Sequence, residues 1–159
     1  MSFPPVSLTV DLLSGTIVFL LVAAVSGVSM AIQGSINSAL GKIVGLWETT
    51  LIVHLTATIA VSVILFAFNL GKGSFLRAGE APWYYYLGGF LGILITYGVV
   101  ITIPKLGAAV ATTAIIVGQV GMAALVDHFG LFGLQQIPFT WLKFVGLVLL
   151  AAGAKLLLT

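Results

Sequence analysis

Long windows without a single Asp, Glu, Lys or Arg fill most of this sequence. A hydrocarbon core about 30 Å thick requires about 20 consecutive apolar helical residues per crossing, and each window is at least that long. Only 6% of the 159 residues are charged and 60% are hydrophobic, whereas soluble domains carry about 25% charged residues. The sequence therefore predicts an all-α integral membrane protein. The four windows lie between Asp11 and Lys42, between Glu48 and Lys72, between Glu80 and Lys105, and between Lys105 and Asp127.

A fifth apolar window runs from about Phe139 to Leu158 and carries Lys143 and Lys155 near its ends. The long stems of these lysines can bring their ammonium groups to the lipid headgroups, so the window still predicts a crossing. The N-terminus lacks the basic stretch of a cleaved signal peptide, so the first segment is expected to stay in the protein. We predict one membrane domain over residues 1–159, with five transmembrane helices at about 12–40, 48–70, 82–103, 106–126 and 139–158.

Several classes of function are disfavoured by composition. The chain has no cysteine, which excludes disulfides and thiolate metal sites. Its basic residues are scattered singly and form no patch for nucleic acid. The sequence has no pair of carboxylates, metal-ligand cluster or nucleophile–base arrangement of the kind that catalysis requires. We therefore expect neither an enzyme nor a bound metal or cofactor, and no nucleic-acid partner.

Basic residues divide evenly between the two sides of the predicted helices. Cytoplasmic loops normally carry the excess of Lys and Arg, and here neither side has one. A chain without this bias can insert in both orientations, and two opposed copies form the inverted repeat of many transporters. We predict an antiparallel homodimer with ten helices; the alternative is that one loop charge dominates and fixes a single orientation. The residues are Lys72, Arg77 and Lys143 on one side and Lys42, Lys105 and Lys155 on the other.

Small residues recur at four-residue spacing in three of the predicted helices. Because lipid tails are as apolar as leucine side chains, helices in a membrane associate through close backbone approach and interhelical hydrogen bonds. We interpret these positions as helix-packing sites rather than ligand sites. The glycines concerned are Gly27, Gly88, Gly92 and Gly118.

Polar side chains inside the predicted helices are the candidates for function, because in hydrocarbon they must face protein or a water-filled cavity. Gln33 and Asn37 lie four residues apart, on one face of the first helix. Gln119 lies in the middle of the fourth helix, with Thr112 seven residues earlier on nearly the same face. Tyr97 lies in the third helix. All four predicted site residues can line a substrate cavity or, alternatively, can join helices through hydrogen bonds.

The second helix carries an imidazole well inside the predicted membrane. Thr50, His54 and Thr58 recur every fourth residue and share one face. A histidine there can bind substrate or carry a proton, or it can be satisfied by a threonine or a carbonyl. Glu48 opens the same helix, where a carboxylate stabilises the helix dipole. Proton coupling through His54 or Glu48 is therefore one hypothesis, and a structural role for either is the other.

Four sequence strings resemble the YdcZ-like family of inner-membrane proteins, and the resemblance covers nearly the whole chain. It implies a five-helix relative of the drug/metabolite transporter superfamily, residence in the bacterial inner membrane, and transport of small molecules. Where many relatives have a Ser-Phe pair and a glycine in the second helix, this chain has Val53-His54 and Thr56-Ala57. The matching strings are Ala31–Gly41 (AIQGSINSALG), Pro82-Trp83 followed by Gly88–Gly92 (GGFLG), Gly118-Gln119, and Asp127–Gly130 (DHFG).

The small multidrug relatives that this architecture resembles bind cationic drugs through a membrane-buried glutamate in their first helix. The corresponding predicted helix here has no acidic residue between residues 12 and 40. We therefore expect a secondary transporter of small organic solutes, with neutral or anionic metabolites favoured, working by alternating access. Two alternatives remain open: a small dual-topology channel, and an assembly subunit that transports nothing.

Overall fold

The computed structural model describes residues 6–157, with side chains from residue 15 onward. The described residues are mostly helical and include no strand. Five α-helices follow one another, joined by two very short turns and two longer segments. They are α1 (Val6–Val44), α2 (Leu46–Ser62), α3 (Leu87–Leu106), α4 (Ala108–Phe129) and α5 (Trp141–Leu156).

Four of these helices are long and apolar enough to cross a membrane. The candidate spans are Gly15–Val44, Leu46–Ala67, Trp83–Leu106 and Ala108–Phe129. The helix α5 has 16 residues, which is about 24 Å at 1.5 Å per residue and shorter than a hydrocarbon core of about 30 Å. The expectation of five crossings therefore stays a prediction, while the all-helical membrane architecture is confirmed for the described residues.

Helix bounds differ from the predicted ones mainly at their ends. The helix α1 begins at Val6 rather than near residue 12, so Asp11 lies within it, although its side chain is outside the described set. The regular part of α2 ends at Ser62, and a π-helical turn, Val63–Ala67, continues it. Residues 68–70 of the predicted second helix are not helical. The predicted end of the fifth helix at residue 158 lies outside the described residues.

A single glycine makes each of the two short turns. Gly45 joins α1 to α2 with φ 103° and ψ 165°, and Gly107 joins α3 to α4 with φ 81° and ψ 156°. Both conformations belong to a region of backbone space that is essentially restricted to glycine. In each turn the glycine N–H donates to the carbonyl four residues back, and its own carbonyl accepts from the residue four ahead. Both glycines therefore form the short-turn end of the bundle.

The opposite end of the bundle carries the longer connections. Two 3-10 helices, Phe75–Glu80 and Trp83–Tyr86, lead from α2 into α3. The hydroxyl of Tyr85 donates to the carbonyl of Phe132, at 3.4 Å, and so ties this connection to the one between α4 and α5. We call this the loop end. The aromatic residues of Trp83–Tyr86 suit the lipid interface, where aromatic rings are enriched.

The helix α3 lies at the centre of the bundle. It packs against α1, α2 and α4, whereas α5, among the described residues, packs only against α4. Large apolar side chains point outward, as with Phe19, which is 75% exposed. An outward apolar surface suits a lipid solvent, and the interior is correspondingly small and mostly polar. The buried side chains larger than glycine are Asn37, Ser38, Thr49, Thr50, Val100 and Ala111, all near the short-turn end.

Candidate solute-binding cavity

A cavity of about 90 Å³ lies between α1, α3 and α4. Since each water molecule occupies about 30 Å³ of liquid, the cavity has room for about three waters or one small solute. It is lined mainly by aliphatic side chains, with polar groups contributed by α4. Its lining residues are Gly27, Met30, Gly34, Ile95, Val99, Ile103, Thr112, Ile115, Ile116 and Gln119.

Two glycines of α1, one in the cavity wall and one nearer the short-turn end, allow α1 and α3 to pack closely. A Cβ atom at Gly34 would lie 2.9 Å from Cγ1 of Val99, and one at Gly41 would lie 2.5 Å from Cγ1 of Val100. Both values are shorter than a carbon–carbon contact of about 3.5–4.0 Å. The two helices can approach this closely only because both positions lack a side chain. Neither Gly34 nor Gly41 is among the predicted packing glycines.

Gln119 and Thr112 supply the polar groups of the cavity. They are seven residues apart on α4 and both face the cavity, as helical periodicity predicts. The side chain of Gln119 is exposed and has no hydrogen bond to any described residue. Its amide can both donate and accept. Gln119 is therefore the predicted site residue that the structure places directly in the cavity.

Gln33 and Asn37 lie beside the cavity rather than in its wall. Asn37 is 7% exposed and belongs to the polar interior at the short-turn end. Gln33 is exposed on the outside of α1, and its amide has no hydrogen bond to a described residue. An amide facing hydrocarbon without a partner costs several kcal/mol. The surroundings that satisfy Gln33 must therefore come from outside the described part of the chain.

His54 is half-buried between α2 and α3. Its Nδ1 lies 2.8 Å from the carbonyl oxygen of Thr50. Because a carbonyl can only accept, Nδ1 carries the hydrogen, and in the neutral ring Nε2 is left with a lone pair. Nε2 lies 3.3 Å from the position that a Cβ would occupy at Gly92 of α3. His54 and Gly92, predicted separately as a site residue and a packing glycine, are thus in contact.

The face of α3 that carries Gly92 is also the face that lines the cavity. Gly92 and Val99 are seven residues apart, which is nearly two full turns, so they lie on the same side of the helix. Val99 and Ile95 both line the cavity. Gly92 precedes Ile95 by three residues, about 4.5 Å along the axis. The imidazole of His54 therefore lies beyond the loop end of the cavity, on the cavity side of α3.

Glu48 is exposed in the first turn of α2, and its carboxylate folds back over Gly45. A carboxylate at this position interacts favourably with the dipole of α2. Among the described residues Glu48 has no ion pair or hydrogen bond, and it has no contact with His54. The structure therefore places Glu48 and His54 apart within one chain.

Tyr97 faces the start of α2. Its ring packs on Trp47, with ring centroids 4.8 Å apart, a distance typical of favourable aromatic pairs. Its hydroxyl has no hydrogen bond to a described residue, and it is not among the cavity-lining residues. In one chain Tyr97 thus contributes to packing between α2 and α3.

Three of the predicted packing glycines have open space around them within the chain. A Cβ at Gly27, Gly88 or Gly118 would meet nothing within 4 Å. Gly27 lines the cavity, where its missing side chain leaves room. For Gly88 and Gly118 the packing role stays a prediction that requires a neighbour outside the described chain.

Two wider hollows lie at the loop end, of about 450 and 420 Å³. They are more open than the cavity and contain none of the predicted site residues. The first lies between the π-helical turn and the 3-10 helix at Phe75–Glu80, and the second is bordered by Arg77 and Glu80, which form an exposed ion pair of 3.0 Å. We therefore consider the smaller cavity between the helices as the candidate site. Within the described residues, no group of three or more His, Asp or Glu side chains is placed to hold a metal ion.

His128 and Gln136 order the loop between α4 and α5. The N–H of Phe139 donates to Nδ1 of His128, at 3.1 Å, and Nε2 of Gln136 donates to the carbonyl of His128, at 2.9 Å. These contacts hold the start of α5 against the end of α4. His128 thus accepts a hydrogen bond at Nδ1, whereas His54 donates one from Nδ1.

Comparison with known protein families identifies the chain. The model of a family described as "Putative inner membrane exporter, YdcZ" matches residues 18–156. This chain belongs to the YdcZ family. The match includes α2, α3, α4 and all the cavity-lining residues. It places the protein in the bacterial inner membrane, which agrees with the four apolar spans. The match confirms the resemblance found in the sequence. By its description, the YdcZ family is a family of exporters. No curated protein and no solved structure matches the chain.

Proposed function

We propose that this protein is a secondary transporter that exports small neutral or anionic organic solutes by alternating access. The observation that supports it best is the cavity between α1, α3 and α4, which combines an aliphatic wall with one unpaired amide, Gln119. Ligand sites are typically apolar cavities with a few polar groups that orient the ligand. Under this proposal the protein performs no covalent chemistry.

The charge distribution supports the choice of substrate. Among the described side chains of the four spans, the only carboxylates are Glu48 and Asp127, each two residues from the end of its span. A cationic substrate would therefore find no counter-charge in the interior of the bundle. Neutral or anionic solutes suit an amide-lined cavity better, because an amide can donate as well as accept.

We also propose that the working unit is an antiparallel homodimer. Gln33 on α1 is exposed and unpaired, and Gly88 and Gly118 have free space beside them. A second copy can supply both a polar partner and a close helix contact, since small residues and amides are what join helices in lipid. Five helices from each copy, α5 included, would then form the ten-helix inverted repeat.

Reporter fusions at the C-terminus test the orientation. Fusing a reporter that is active only in the cytoplasm and one that is active only in the periplasm to Thr159 is expected to give signal from both. The reason is the even division of basic residues between the two ends of the bundle. Adding two lysines to the turn at Gly107 is the matched control and should silence one reporter. Signal from one side alone in the unaltered protein would contradict dual insertion.

Replacement of Gln119 tests the cavity. An unbiased screen for small solutes that raise the thermal stability of the purified protein supplies a ligand, and export of that ligand is then measured in vesicles. Gln119→Leu is expected to reduce affinity about 5- to 150-fold, because a hydrogen bond lost with its partner left unsatisfied costs about 1–3 kcal/mol. Gln135→Leu, which changes an exposed loop amide, should leave affinity unchanged.

The same measurements separate the alternatives. A channel would show solute flux that neither saturates nor depends on a second gradient. An assembly subunit would show no flux with any ligand, while replacing Gln33, Asn37 and Gln119 together by leucine would dissociate the dimer. Saturable flux that falls with Gln119→Leu in an intact dimer supports the transporter.

A further inference from the structure

We infer that the exported solute is a small carboxylate, carried together with one proton that His54 holds on Nε2. This inference rests on the proposed transport function and names the substrate class of the same cavity. It depends on the tautomer of His54, on the place of its ring beside the cavity, and on the distribution of charge in the spans.

The hydrogen bond to Thr50 determines how His54 takes up a proton. Nδ1 already donates to the Thr50 carbonyl, at 2.8 Å, so an added proton must go to Nε2. Nε2 lies against Gly92, which has no side chain and belongs to the face of α3 that lines the cavity. The neutral ring offers a lone pair there, which repels a carboxylate, and the protonated ring offers an N–H with a positive charge, which attracts one.

No other charge in the described spans competes with this role. Among residues with described side chains, the titratable groups on the helices packed against α2 are Lys42 on α1 and Tyr97 and Lys105 on α3. Glu48 lies on α2 itself, and Tyr84, Tyr85 and Tyr86 precede α3. None of them has a hydrogen bond or ion pair with His54, and the two lysines lie within two residues of a span end. Protonated His54 would therefore be a cation inside the spans rather than at their ends.

The cavity suits a short carboxylate in size and polarity. At about 90 Å³ it holds a handful of non-hydrogen atoms. Gln119 can donate its amide N–H groups to a carboxylate oxygen, and the aliphatic walls formed by Ile95, Val99 and Ile116 suit a short carbon chain. His54 then releases its proton on the side where the solute leaves, so one carboxylate and one proton are moved together and no net charge crosses the membrane.

Binding of L-lactate and of lactamide to the purified full-length protein tests this inference. The two probes have the same number of non-hydrogen atoms, but only lactate is charged, and it stays ionised above its carboxyl pKa of about 4. Equilibrium dialysis is performed at about pH 8 and at about pH 5.5. Lactate affinity is expected to rise about tenfold at the lower pH, within the usual range of coupling between two sites, while lactamide affinity stays constant.

Two histidine variants locate the coupled proton. The chain contains two histidines, and glutamine is close to histidine in size and polarity. His54→Gln is expected to abolish the tenfold rise for lactate, whereas His128→Gln should retain it, because His128 lies in the ordered loop and glutamine can still accept from Phe139. In vesicles loaded with lactate, flux should follow an imposed pH gradient and be unaffected by an imposed membrane potential.

Three results would overturn the inference: equal behaviour of lactate and lactamide at both pH values, a pH effect that survives in His54→Gln, or binding of neither probe. None of these results decides the proposed transport function, which the Gln119→Leu measurement tests separately. If the stabilisation screen finds a neutral ligand whose affinity depends on Gln119, the proposed transport function is supported and the inference of a carboxylate substrate is wrong.

Discussion

Replacing Gly41 by valine is expected to destabilise the bundle by about 1–3 kcal/mol, the cost typical of inserting atoms into a packed contact. A Cβ at this position would lie 2.5 Å from Cγ1 of Val100, and Val100 is only 5% exposed. The collision cannot be relieved by a flexible side chain, because valine has one strongly preferred rotamer in a helix. The measurement is the fraction of protein that remains monodisperse in detergent after heating.

Two further variants make this prediction specific. Gly15→Val on the same helix, where a Cβ meets nothing within 4 Å, should leave the stability almost unchanged. The double variant Gly41→Val with Val100→Ala should recover part of the loss, since residues in contact have coupled effects. If Gly15→Val is as harmful as Gly41→Val, the close approach of α1 and α3 does not hold the bundle together.

Alanine at either one-residue turn is expected to be costly, and about equally so at Gly45 and at Gly107. Both glycines have positive φ combined with extended ψ, a conformation that costs other residues about 1–3 kcal/mol. At Gly45 the new Cβ would meet only the carboxylate end of the exposed Glu48 side chain, which can rotate away, and at Gly107 it would meet nothing within 4 Å. The same heating assay compares the two.

Two further variants test this second prediction. Gly98→Ala changes a glycine within α3 that has open space and helical geometry, and it should not lower stability. Glu48→Ala added to Gly45→Ala should recover little stability, because the exposed Glu48 side chain can already move away from the new Cβ. A Gly45→Ala protein as stable as the unaltered chain would show that the turn does not need its glycine conformation.

The contact between His54 and Gly92 combines one feature that the sequence predicts with one that it does not. The position of His54 inside an apolar helix marked it as a candidate, and the four-residue spacing from Thr50 matches the hydrogen bond between Nδ1 and the Thr50 carbonyl. Spacing within α2 contains no information about the helix that faces it. Only the packing of α2 against α3 brings Gly92 to the imidazole and leaves Nε2 directed away from any hydrogen-bond partner among the described residues.

The glycines illustrate the same limit from the opposite direction. Four-residue spacing predicted Gly27, Gly88 and Gly118 as packing sites, yet within the described chain none of them has a neighbour that a Cβ would touch. Gly34 and Gly41 make the close contacts instead, at a spacing of seven residues. Both lie in the string from Ala31 to Gly41 that carried the family resemblance, so a signal was present. The signal was a seven-residue spacing, about two helical turns, rather than the four-residue spacing from which the packing sites were predicted.

The sequence by itself determined that this protein is helical, that it resides in a membrane, and which polar side chains lie inside its apolar segments. These properties follow from composition and from periodicity along one helix, because a chain in lipid must satisfy its backbone hydrogen bonds internally. Tertiary structure alone decided which faces meet, and so placed Gln119 in the cavity, Tyr97 on Trp47 and Gln33 on the outside. The physical reason is that apolar side chains are equally compatible with lipid and with a neighbouring helix, so hydrophobicity does not mark the inward face.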